Sequence, residues 1–239
     1  MKQMPTEGEE FRAVDAHWRE IIQETNKDPD ALVVMKIPSL LDKLTASNAM
    51  LDNIQKGLNE YLETKRLYFS RFFFLSNDEL LESLSETKDP LRVKPHLKKC
   101  FEGIHDITFE ENLDIVEMIS AETEAVQLVE KINPMDSFGA VEVWLVQLED
   151  MMRVTIKDVV AEAMADYPTK KREDWVLAWP GQVALCVSQM YWTQDVEKAL
   201  SSKGVNGIIE LLPTLDEQLT GELCKMEFLD HLDYMYALI

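Results

Sequence analysis

The sequence predicts a mainly α-helical chain, one elongated body with a small antiparallel β insert near its middle. Three observations carry this. Breakers are scarce, with 8 Gly and 9 Pro in 239 residues, and the chain is rich in Leu, Glu, Lys and Met, which favour helices. Apolar residues recur every three or four positions over long stretches. Between about residues 105 and 131 that period gives way to alternating and β-branched apolar residues broken by polar turns.

Residues 1–8 are polar, with Pro5 and Gly8, and read as a frayed leader. Phe11, Val14, Trp18 and Ile21/Ile22 then follow helical spacing until the run NKDPD at 26–30. The clearest helix comes next. Pro38-Ser39 opens it, with Ser39 and Asp42 spaced as a capping box. Leu41, Leu44, Asn48, Leu51, Ile54, Leu58 and Tyr61/Leu62 mark its face. From Leu40 to Arg66 it spans roughly 40 Å at 1.5 Å per residue. The stretch KRLYFSRFFF, residues 65–74, leads straight into a second capping box, Ser76-x-x-Glu79, at the start of NDELLESLSE.

Asp89-Pro90 ends that helix. Pro95 suits the first turn of a short basic helix, PHLKKCFEGI, closed by Gly103. Strands are predicted at 105–109, 113–120 and 124–131, with turns at EEN and AETE and a stop at Asn133-Pro134. Helix returns over 138–165 with the stripe Val141, Trp144/Leu145, Leu148, Met151/Met152, Ile156, Val159/Val160 and Ala163, and Tyr167-Pro168 stops it. The basic island TKKRE precedes DWVLAWPGQVALCVSQMYW, in which Pro180-Gly181 breaks the chain before a buried helix. Gly204 and Gly207 mark a loop. Leu215, Leu219, Leu223, Met226, Leu229, Leu232 and Met235/Tyr236 form a last helical stripe. No repeat and no Pro/Ser/Gly-rich linker divides the chain. The expected organisation is a flexible leader at 1–10 and a single segment over 11–239.

Charge narrows the function classes. The formal net charge is −20, a field that repels nucleic acid and anionic lipid, so neither is an expected partner. Basic patches on other soluble proteins remain compatible. Three cysteines, Cys100, Cys186 and Cys224, are odd in number and far apart, which is no disulfide framework and fits a reducing compartment. The first residues lack the apolar core of a secretory signal, and no run reaches the roughly 18 apolar residues of a membrane span.

The sequence offers little chemistry. It has no G-x-x-x-x-G-K-[ST] loop, no G-x-G-x-x-G, no G-x-S-x-G and no H-E-x-x-H. His96 and Cys100 share a helical face, as metal ligands can. A closed zinc site needs about four ligands, and nothing nearby supplies the rest. Asp230, His231 and Asp233 set carboxylates beside an imidazole with no nucleophile at hand, and read as a solvated face. No catalytic, cofactor-binding or metal-ligating residue is therefore assigned. Trp175 and Trp179, four apart on one predicted helical face, invite a groove reading, but core packing between helices is the better account, because aromatics dominate core energetics.

The residues that remain resemble a family. A helix ending in Glu63, Lys65 and Arg66, followed by Phe69, Arg71, Phe72, Phe73 and Phe74 and then by Asp78, Glu79, Leu80, Leu81 and Glu82, is similar to the linker region of dynein heavy chains. The axonemal inner-arm type is nearest. Trp175, Trp179, Pro180, Gly181, Gln182 and Val183 resemble a second shared block, and FRAVDAHWREII a third. The likeness covers about residues 11–212. Ser70 stands where the family usually has proline, and the run GELCKMEFLDHLDYMYALI departs from the family pattern.

The resemblance implies an elongated helical bundle, a linker-like rod with a small β insert. It implies a non-catalytic mechanical segment that couples ATP-driven changes of an AAA+ ring to displacement along microtubules in the axoneme of cilia and flagella. ATP and Mg would then belong to the ring of the parent chain. The expected partners are that ring and accessory subunits of the motor, with no direct microtubule contact. Lys65, Arg66, Phe69, Arg71, Phe72, Phe73 and Phe74, with Trp175 and Trp179, are the candidates for a structural joint or docking surface. The joint reading buries Phe69, Phe72, Phe73 and Phe74 between two helices, with the basic side chains tying acidic helix faces across it. A general helical scaffold for accessory subunits is the alternative.

Overall fold

The structure, a computed structural model, describes residues 4–85 and 89–226, the last eight of these (219–226) by backbone only. The chain forms two compact units, Met1–Ser85 and Glu86–Ile239, where one segment was expected over 11–239. Among the described residues both units are mainly helical, and the second carries one three-stranded antiparallel sheet.

In the first unit, helix α1 (Pro5–Lys27) starts inside the stretch read as a leader, with Pro5 in its first turn, where a missing N–H costs nothing. Helix α2 (Ala31–Val34) is a single turn capped by Asp30, whose carboxylate accepts the Leu32 N–H. Helix α3 (Leu40–Tyr68) is the 29-residue element the apolar stripe predicts. The capping box expected at Ser39 and Asp42 does not form. Ser39 lies at φ 57° in the left-handed region, and its side chain caps nothing.

Helices α1 and α3 pack against each other in antiparallel order. Lys43 bridges to Glu20 at 2.6 Å, His17 meets the Ser47 hydroxyl at 3.2 Å, and a Cβ at Gly57 would lie 2.5 Å from the Glu7 carboxylate. Near the end of α3, residues 70–74 tighten into a 3-10 turn before α4 (Asn77–Ser85).

In the second unit, Asp89 caps a 3-10 turn at Pro90–Val93 through the Leu91 N–H. Pro95 then opens α5 (Lys94–Cys100) as predicted, and Phe101, extended, ends it before Gly103. Strands β1 (Asp106–Phe109), β2 (Ile115–Ile119) and β3 (Ala125–Ile132) form a meander in that order. Each lies within two residues of its predicted bounds. The two hairpin turns share one geometry. Leu113 N–H donates to Glu110 O, and Thr123 N–H donates to Ser120 O. Leu113 (φ 68°) and Thr123 (φ 69°) each occupy a left-handed position that three-residue hairpin loops normally give to glycine.

Helix α6 (Val141–Asp166) lies along β3, and its Thr155 hydroxyl accepts the Val129 N–H at 3.2 Å. Val141, Trp144, Leu145 and Leu148 are buried along it, as its apolar stripe requires. A 3-10 turn at Tyr167–Thr169 stops it. Helix α7 (Arg172–Val176) and helix α8 (Gly181–Lys203) follow, and Gly204 (φ 61°) turns the chain into α9 (Val205–Met226).

Gly207, expected in a loop, sits inside α9. A Cβ there would lie 2.2 Å from the Ala199 carbonyl oxygen, so the residue is needed for the close approach of α8 and α9. Leu215 is half-buried, and of Leu219, Leu223 and Met226 only the backbone is described. The rest of that stripe (Leu229, Leu232, Met235 and Tyr236) lies outside the described residues, as do Asp230, His231 and Asp233.

Candidate functional site: the joint after α3

The geometry of the aromatic stretch follows from its helix type. A 3-10 turn has three residues per turn, so residues at i and i+3 eclipse. Phe72 N–H donates to Phe69 O and Leu75 N–H to Phe72 O, and Phe69, Phe72 and Leu75 form one buried row. Phe69 and Phe72 meet edge to face with ring centroids 5.0 Å apart. Burying each contributes roughly 1.5–3 kcal/mol by apolar transfer, and the edge contact adds about 0.5–1.5 kcal/mol.

The same periodicity turns Phe73 and Phe74 outward, at 57% and 70% exposure. The expectation that all four phenylalanines are buried is corrected on this point. An α-helical spacing does not apply to a 3-10 segment, and only every third side chain reaches the interior. Leu67 and Tyr68, on the last turn of α3, are exposed as well.

Arg66 is the clasp of the joint. Its guanidinium donates to the Leu75 carbonyl at 3.2 Å and to Asn77 Oδ1 at 2.8 Å, and pairs with Glu63 at 3.2 Å. It lies 5.9 Å from the centre of the Phe73 ring, and its side chain is only 11% exposed. One residue near the end of α3 thus holds both the carbonyl that ends the turn and the side chain that starts α4. The predicted box beyond it is formed in both directions: Ser76 N–H donates to Glu79 Oε2 at 3.0 Å, and Glu79 N–H to Ser76 Oγ at 3.3 Å.

Lys65 instead lies over the Tyr61 ring at 5.3 Å, and Arg71 is half-buried in the turn. Arg66 ties to α4 through a carbonyl and an amide, and among the described residues the carboxylate it pairs with, Glu63, is on its own helix. Asn77 and the Leu75 carbonyl were not singled out from the sequence. A backbone acceptor leaves no residue signature, and Asn77 reads simply as the first residue of a helix.

Trp175 and Trp179 do not share a helical face, because α7 ends at Val176. Both still brace the end of α6. Trp175 is fully buried and its indole N–H donates to the Ala163 carbonyl at 3.1 Å. Trp179 packs half-buried at the rim of the same cluster and donates to Asp166 Oδ2 at 3.0 Å. Tyr167 stacks on Tyr191 with centroids 4.0 Å apart, and Arg172 lies over both Tyr167 and Trp175. Core packing accounts for Trp175. The Asp166 carboxylate is held below its ordinary pKa, first by the hydrogen bond from Lys170, which outweighs the opposing effect of desolvation, and then by the hydrogen bonds from Thr169 and Trp179 and the charge of Lys170.

Among the described residues no group of three or more His, Cys, Asp or Glu side chains is placed to hold a metal ion. Cys100 is buried and Cys186 exposed, and neither forms a disulfide among the described residues. No helix of the described residues is long and apolar enough to cross a membrane.

The family described as "Dynein heavy chain, N-terminal region 2" matches residues 1–163. The chain belongs to that family, as an N-terminal region of an axonemal dynein heavy chain. It is 53% identical over 219 residues to dynein axonemal heavy chain 12 of Homo sapiens, covering 92% of this chain and 7% of that one. It is 50% identical over 217 residues to dynein axonemal heavy chain 3 of Homo sapiens, covering 91% and 5%. Dynein axonemal heavy chain 1 of Rattus norvegicus is 42% identical over 233 residues, covering 95% and 5%. The chain thus spans less than a tenth of the length of these relatives.

Proposed function

We propose that this chain is part of the linker of an axonemal dynein heavy chain. In this reading it is a non-catalytic mechanical segment that couples ATP-driven changes of the AAA+ ring to force and displacement along microtubules in cilia and flagella. ATP and Mg belong to the ring of the parent chain, and the ring is the main partner. The observation that carries the reading is the joint. Force passed along α3 reaches α4 through a buried aromatic row and a three-way guanidinium clasp, an arrangement that resists slippage between two helices. Family membership supports the same reading.

A second reading, a helical scaffold for accessory motor subunits, is favoured by a different observation. Leu67, Tyr68, Phe73 and Phe74 are all more than half exposed, and contiguous apolar surface of this kind marks contact sites. Two variants of the parent motor separate the readings. Arg66→Ala combined with Phe72→Ala loosens the joint and should slow microtubule gliding while ATP hydrolysis continues. Phe73→Ser combined with Phe74→Ser leaves the joint intact. Loss of an accessory subunit from the purified motor in that second variant, with unchanged gliding in the first, would replace the mechanical reading by the scaffold.

A further inference from the structure

We draw no further inference here: the strongest candidate, the exposed apolar stripe of Phe11, Trp18 and Ile22 along α1 in the first unit, carries nothing because nothing in the structure shows what covers it.

Discussion

Replacing Arg66 by alanine removes the clasp without touching the aromatic row, and the size of the effect can be worked from its contacts. Two hydrogen bonds from a charged donor are lost, to Leu75 O and to Asn77 Oδ1. Hydrogen bonds to charged groups contribute about 1.5–3 kcal/mol each, and since the bond to Asn77 is exposed and that to Leu75 only partly buried, the lower half of that range applies. The pair with Glu63, a residue more than half exposed on its carboxylate, adds about 0–1 kcal/mol. The contact with Phe73 is long at 5.9 Å and adds about 0.5 kcal/mol. Because Leu75 and Asn77 share one clasp their losses overlap, and a total of about 2–4 kcal/mol is expected.

Hydrogen exchange reads this locally. The amides of Phe72, Leu75 and Leu80, which close the turn and the first turn of α4, should exchange about 30- to 700-fold faster in Arg66→Ala, at tenfold per 1.4 kcal/mol. Arg66→Lys should recover only part of the protection, since an ammonium lacks the fork that reaches two acceptors at once. Protection of those amides within threefold of the unaltered chain would refute the assignment of Arg66 as the clasp.

Other residues give sharper local tests. Thr123 is exposed and sits at φ 69°. Thr123→Gly should stabilise the second unit by about 0.5–1 kcal/mol in urea unfolding, the relief of a left-handed residue less the entropy of glycine. Gly207→Ala places a methyl carbon against the Ala199 carbonyl. Overpacking of about 1–3 kcal/mol should outweigh the roughly 1 kcal/mol of helix propensity gained, so a lower melting temperature is expected. Asp166 has its pKa lowered in the folded chain, so its interactions stabilise the fold above its ordinary unfolded value. That stabilisation is lost as the pH falls through the depressed folded value. An NMR titration should place its midpoint below that of an exposed aspartate, and Lys170→Ala should move it back up.

Much of this architecture was legible because its signals are local. The switch from helical spacing to alternation around residue 105 located the meander, and Ser76 with Glu79 located the start of α4, since a capping box needs only four residues to form. Pro95, Pro168 and Pro180 marked real boundaries because a missing N–H and a fixed φ act regardless of tertiary context. Features that depend on packing were harder to read. Ser39 carries the letters of a cap, yet its backbone turns left-handed and the box is lost. Gly207 looks like a loop residue until α8 lies against it. The four phenylalanines read as one buried block between two helices, whereas the three-residue turn they form buries Phe69 and Phe72 and leaves Phe73 and Phe74 exposed.

Deleting residues 40–201 from the parent heavy chain, and measuring ATP hydrolysis and microtubule gliding side by side, tests the central claim most directly. If this region transmits force, hydrolysis persists while gliding stops. Gliding that continues at its former speed would contradict the mechanical account.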